Sequence, residues 1–171
     1  MASKSELPIG VLGTRATVAS HIYETTLFSM AAESGLKIEV FSQPAPLLVP
    51  LAEEGWIDDP ITNLIAYRYV QPLLQKNIDT LILGCTHYPI LRQALQRAAG
   101  ASINLVESGA ALAQSLEKKF FTHLIEKRIS NNQRKIEIMA TDLSPQFQDL
   151  ARSLLAPNQP DSFELVHLNT K

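Results

Sequence analysis

The amino-acid sequence predicts an α/β fold: a mostly parallel sheet with helices on both faces. Three observations lead there. Short apolar runs of β type alternate with longer segments of helical period along nearly the whole chain. Helix start and stop signals fall between those runs, as at Gly35, Asp59-Pro60 and Ser144-Pro145. No internal repeat or low-complexity tract interrupts the alternation, and the one weak seam is AAGAS near residue 100.

The first predicted strand is IGVLG (9–13), apolar and closed by a glycine turn. A helix follows through TRATVASHIYETTLFSMAAESG, with Ala19, Tyr23, Leu27 and Met30 on one face and Gly35 as its stop. KIEVFS (37–42) is the second strand. QPAPLLVPLAEEGW (43–56) carries three prolines, so a structured loop or short helix is expected there, not a central strand. Asp59-Pro60 starts a helix, with Ile61, Ile65, Tyr69 and Leu73 repeating every fourth residue. IDTLILG (78–84) is the third strand, and Pro89 opens the helix through LRQALQRAAG. INLVE (103–107) is the fourth, followed by a helix with Leu112, Leu116, Phe120 and Leu124 inward. NNQRK (131–135) is a polar turn and KIEIMAT a strand. Ser144-Pro145 caps a helix whose Phe147, Leu150, Ala151, Leu154 and Leu155 form one apolar face, and FELVHL (163–168) is the last strand. In such sheets ligands bind outside the carboxyl ends of the strands. GTRAT, GCTH and ESG are the segments expected at that edge.

Composition excludes some functions and selects none. The chain has 171 residues, enough for one domain or two small lobes, and a formal net charge of −2, which gives no basis for binding nucleic acid or an anionic membrane. No apolar run approaches the length needed to span a bilayer, and MASKSELP lacks the apolar centre of a signal peptide, so a cytoplasmic protein is expected. A lone cysteine rules out an intrachain disulfide framework.

That cysteine, Cys85, stands at a predicted strand end with Thr86 and His87 directly after it. Two readings apply to it: a buried small hydrophobe, or a reactive thiol favoured by a helix N-terminus and a nearby imidazole. His87 is likewise either a packing residue or an acid–base group. GTRAT places Thr14 and Thr17 at a helix start, where they either cap the helix or help to hold an anionic group. Glu53-Glu54 is either a solvated turn or a carboxylate pair facing a cation. No P-loop, GxGxxG, CxxC or HExxH is present, so nucleotide and metal sites have no motif behind them.

Taken together and in order, GVLGTRAT, PLLVPLAEEGW, LILGCTHYPIL and VESGAALA resemble glutamate racemase, of the aspartate/glutamate racemase superfamily. TDLSPQFQDLARSLL with the later VHL is similar to that family's closing segment, and the likeness runs over about residues 8 to 168. GCTHYP is the specific element. The resemblance implies an isomerase that interconverts L- and D-glutamate for peptidoglycan synthesis, and so for cell-wall biogenesis and cell shape. It works without a cofactor, using two thiols on opposite faces of the α-carbon. It implies that Cys85 is one of those thiols, with Thr86 and His87 as substrate-binding and proton-relay residues. Glu53, or else Glu54, would support the histidine, and Thr14 and Thr17 would lie near the substrate carboxylate.

The sequence also departs from the family. Its DSGxGG, PYG and CNT elements, the last holding the other cysteine, are not found here, and VESG stands for the usual VDSG. The resemblance therefore implies the C-terminal part of a racemase. Residues 8–103 would be the second lobe, carrying GCTHYP, and 104–168 a return segment that would complete the first lobe. Such a segment is expected to expose an apolar face, suited to self-association or to the missing half. Two other readings accompany this one: a non-catalytic remnant or regulatory module, and a related aspartate-type racemase.

Overall fold

The computed structural model describes residues 7–121 and 135–168. The chain divides into two compact units, one through Glu117 and one from Lys118 onward.

The first unit is built on a four-stranded, wholly parallel sheet in the order β2-β1-β3-β4. Its strands are β1 (Leu7–Gly13), β2 (Ile38–Pro44), β3 (Thr80–Gly84) and β4 (Asn104–Glu107). The helices are α1 (Arg15–Ala19), α2 (Ile22–Glu33), α3 (Leu48–Glu53), α4 (Pro60–Leu74), α5 (Arg92–Ala99) and α6 (Ser108–Leu116). Period-two alternation assigns them to opposite faces. A Cβ added at Gly10 would meet Leu73 of α4, while one at Gly13 would meet Thr17 of α1 and one at Gly84 would meet Tyr23 of α2. The core lies mainly on the α4 face. There Leu12, Leu81 and Leu83 join Leu48, Ala66, Val70, Leu91 and Leu95, all essentially inaccessible to solvent.

Several expected elements change in detail. The helix predicted over 14–35 is two helices, because His21 adopts a left-handed conformation (φ 52°) between α1 and α2. Met30, expected inward, is 59% exposed. In α4 the buried stripe is Thr62, Ala66, Val70 and Leu73, one residue later than expected for its first three members, and Ile61 is exposed. Thr62 tolerates burial because its hydroxyl donates to the Trp56 carbonyl at 2.6 Å. Asp59 caps α4 as expected, its Oδ1 accepting from the Ile61 N–H at 2.7 Å. The proline-rich 43–56 stretch does contain a short helix, α3. Pro89 lies in a 3-10 turn, Tyr88–Leu91, and α5 begins only after it.

Residues 104–107, grouped by sequence with the return segment, pair with β3, and the division between units falls after α6. Leu112 and Leu116 of α6 are exposed rather than inward. The Phe120 side chain, Leu124 and most of the NNQRK turn lie outside the described residues.

The second unit holds β5 (Glu137–Ala140) and β6 (Ser162–Leu165), paired in parallel and joined through α7 (Pro145–Leu155). Ser144 caps α7 through the Phe147 N–H at 3.1 Å. Leu150, Ala151 and Leu155 are half-buried, whereas Phe147 and Leu154 are exposed.

Candidate active site

The register of the sheet decides which loops can meet. Gly13 at the end of β1 is level with Pro44 of β2 on one side and Gly84 of β3 on the other, and Leu83 is level with Glu107 of β4. Four loops therefore leave one edge: GTRAT, the PAPLL segment leading to α3, GCTH and ESG. Sequence reasoning placed three of them there. The segment leading to α3 is the fourth.

Cys85 is the first residue beyond β3. It is half-buried and packs against the rim of the core, so it is neither sealed inside nor free of packing. Its Sγ lies 3.8 Å from Nδ1 of His87, and that nitrogen is also 3.4 Å from the Thr86 hydroxyl. On the far side of the ring, Nε2 lies 3.2 Å from Oε1 of Glu53, the last residue of α3. A carboxylate only accepts, so Nε2 carries the proton. Nδ1 is then the ring nitrogen that faces the thiol. This line of carboxylate, imidazole and sulfur orients a proton acceptor at a strand end. Of the two adjacent acids, Glu53 makes this contact, while Glu54 is the exposed C-cap of α3.

The capping reading of the two threonines is realised. Thr14 is the N-cap of α1, accepting from the Thr17 N–H at 3.1 Å, and the two hydroxyls are 2.9 Å apart. Both side chains remain half-buried at the end of β1, beside the end of β3.

Two features of this edge were not anticipated. Tyr88 is fully buried, and its O–H donates to the Ala45 carbonyl at 2.9 Å. Burial, with added contributions from the negative charge of Cys85 and of Tyr69 in their ionised forms, pushes its phenol well above the ordinary tyrosine range. Arg92, opening α5, forms an ion pair with Glu107, so the acid of ESG is committed to a cation. No periodic pattern links Tyr88 with Ala45 or Arg92 with Glu107; only the register of β1, β3 and their neighbours brings them together.

Elsewhere in the unit, Ser42 on β2 donates to Glu24 of α2 at 2.6 Å, and His21 lies 3.6 Å from the same oxygen. Burial would raise the Glu24 carboxyl, but the hydrogen bonds and His21 outweigh it and hold it below the ordinary range. Among the described residues no group of three or more His, Cys, Asp or Glu could hold a metal ion, and no helix is long and apolar enough to cross a membrane.

The family profile described as Asp/Glu/Hydantoin racemase matches residues 1–116. The glutamate racemase of Syntrophus aciditrophicus is 39% identical over 155 residues, 89% of this chain and 54% of that protein. That of Chlorobaculum parvum is 39% identical over 158 residues, 92% and 56% of the two. Among solved structures, the glutamate racemase of Francisella tularensis in complex with D-glutamate matches with a TM-score of 0.74 at 28% identity, covering 95% of this chain and 58% of that one. A glutamate racemase isoform of Bacillus anthracis gives a TM-score of 0.74 at 31% identity, covering 96% and 59%. The chain thus spans a little over half the length of the curated relatives it matches. With the racemase profile covering more than half of its residues, the chain belongs to the Asp/Glu/hydantoin racemase family.

Proposed function

We propose that this chain serves the racemisation of glutamate, supplying Cys85 as one of two acid–base thiols in a reaction that needs no cofactor. The observation that carries this is the Cys85–His87–Glu53 line at the carboxyl edge of a parallel sheet in a chain of this family. As thiolate, Cys85 takes the α-proton. The C–H electron pair stays on the α-carbon as carbanion-like charge spread into the adjoining carboxylate, and a thiol on the opposite face returns a proton. His87, aligned by Glu53, relays protons at the Cys85 face. Thr14, Thr17 and Thr86 supply hydroxyls for the substrate's polar groups. Oriented donors of this kind are most effective where water is excluded.

The chain contains one cysteine. A single acid–base face returns the proton it removed, so the 171-residue chain alone inverts glutamate negligibly. The opposite thiol is the one the complementary racemase half carries. The exposed Met139, Leu165 and Leu168 in the return segment support an apolar contact with that half. The physiological role that goes with this reading is cytoplasmic supply of D-glutamate for peptidoglycan.

The test is to incubate the purified chain with L-glutamate and follow optical rotation, then repeat with a polypeptide carrying the complementary racemase half. Little change alone, activity on mixing and its loss in Cys85→Ser are expected. Brisk inversion by the chain alone overturns the one-thiol account.

A further inference from the structure

We infer that Tyr88 is a positioning residue for the thiol and imidazole, its phenol tying the GCTH loop to the segment that starts α3, which is itself bonded to the end of β1. The inference deepens the racemase reading above and rests on it for its functional meaning.

The clasp is a run of hydrogen bonds. The Ala45 N–H donates to the carbonyl of Gly13, the last residue of β1, at 2.9 Å. The Ala45 carbonyl accepts from the Tyr88 hydroxyl at 2.9 Å and from the Leu48 N–H at 3.2 Å. The Tyr88 N–H in turn donates to the Cys85 carbonyl at 3.3 Å. One side chain therefore joins the GCTH loop to the segment that starts α3, and through Ala45 to the end of β1. Glu53 sits at the far end of α3 and Cys85 and His87 sit on the GCTH loop, so this joint fixes the distance across which Glu53 meets His87. A phenylalanine would fill the same buried space but lose the hydrogen bond to Ala45, leaving apolar contact at that joint, which is not directional.

The sole cysteine of the chain makes the test specific. The rate of Cys85 alkylation by iodoacetamide is measured from pH 6 to 9 in the full chain. The variants are His87→Ala, Tyr88→Phe and their double, with Tyr88→Met as a second replacement lacking the hydroxyl. If Tyr88 positions the pair, His87→Ala changes the rate at least threefold in the native background and by less than half that factor beside Tyr88→Phe. Far-UV circular dichroism and the urea midpoint establish that each variant is folded. An equal effect of His87→Ala in both backgrounds overturns the inference. So does failure of both Tyr88 replacements to fold, which makes Tyr88 a core residue only. Alkylation needs no racemisation. A positive result here with no activity on reconstitution therefore rejects the racemase reading and leaves the clasp standing.

Discussion

Gly84→Ala is expected to destabilise the first unit although it adds only a methyl group. The new Cβ would lie 2.9 Å from the Leu12 carbonyl oxygen and 2.9 Å from the Tyr23 ring. Both distances are shorter than carbon atoms accept, and the oxygen belongs to the backbone of the neighbouring central strand. Relieving the contact means separating β1 from β3 where they are hydrogen-bonded. Overpacking of this kind costs about 1–3 kcal/mol. Loss of glycine's freedom in the unfolded chain offsets roughly 0.4–1 kcal/mol of that. The net of about 1–2 kcal/mol, with a urea m-value of about 1–2 kcal/mol/M, lowers the midpoint by roughly 1 M. Urea titration followed by the fluorescence of Trp56, the only tryptophan, reports on this unit. Gly109→Ala in α6 meets nothing within 4 Å and is the control. It should be neutral or stabilising, by up to about 1 kcal/mol. Tyr23→Leu combined with Gly84→Ala removes the ring but not the carbonyl, so only partial recovery is expected. A Gly84→Ala midpoint at or above that of the native chain refutes the reasoning.

Leu95→Ala empties a fully buried site on α5 and should cost about 2–5 kcal/mol, read as a lower urea midpoint with an unchanged slope. The Tyr88 phenol has a folded pKa above its unfolded value. Its contribution is therefore complete below the unfolded tyrosine range and lost as pH rises above it. Urea midpoints from pH 8 to 11 should fall less steeply in Tyr88→Phe than in the native chain. Glu24 is the opposite case, a carboxyl depressed by Ser42 and His21 against the effect of burial. Its contribution is present above the ordinary carboxylate range and lost as pH falls through the folded value. Over pH 3–6, Glu24→Gln should lose stability less steeply than the native chain.

The six described strands were legible because each is a short run of β type bounded by turn chemistry, and the Asp59 and Ser144 caps because their side chains act on their own next turn. What failed was of another kind. Ile61 and Ile65 follow a helical repeat as well as Thr62 and Ala66 do, but packing against the sheet selects the small residues and lets Thr62 enter by bonding the Trp56 carbonyl. The break at His21 has no glycine or proline to announce it. In the site, the proximity of Cys85 and His87 could be read from positions two apart in sequence. The approach of Glu53 to His87 was implied only by resemblance, since residues 34 positions apart in sequence meet through sheet register and the placement of α3. Tyr88 was passed over because nothing local distinguishes a tyrosine that fills space from one that ties two loops.

The strand order has a consequence for how the protein is made. β1 lies in the interior of its sheet, yet both of its neighbours come later in the chain: Leu7 is level with Ile38, and Ile9 with Thr80. A ribosome therefore releases β1 before either neighbour and must synthesise about seventy more residues before its second flank can close. Pairings so distant in sequence close slowly. During that interval LPIGVLG is an apolar ribbon with an open side. That strand thus stays in need of shelter until Gly84 emerges, and the candidate site cannot take shape until that moment has passed.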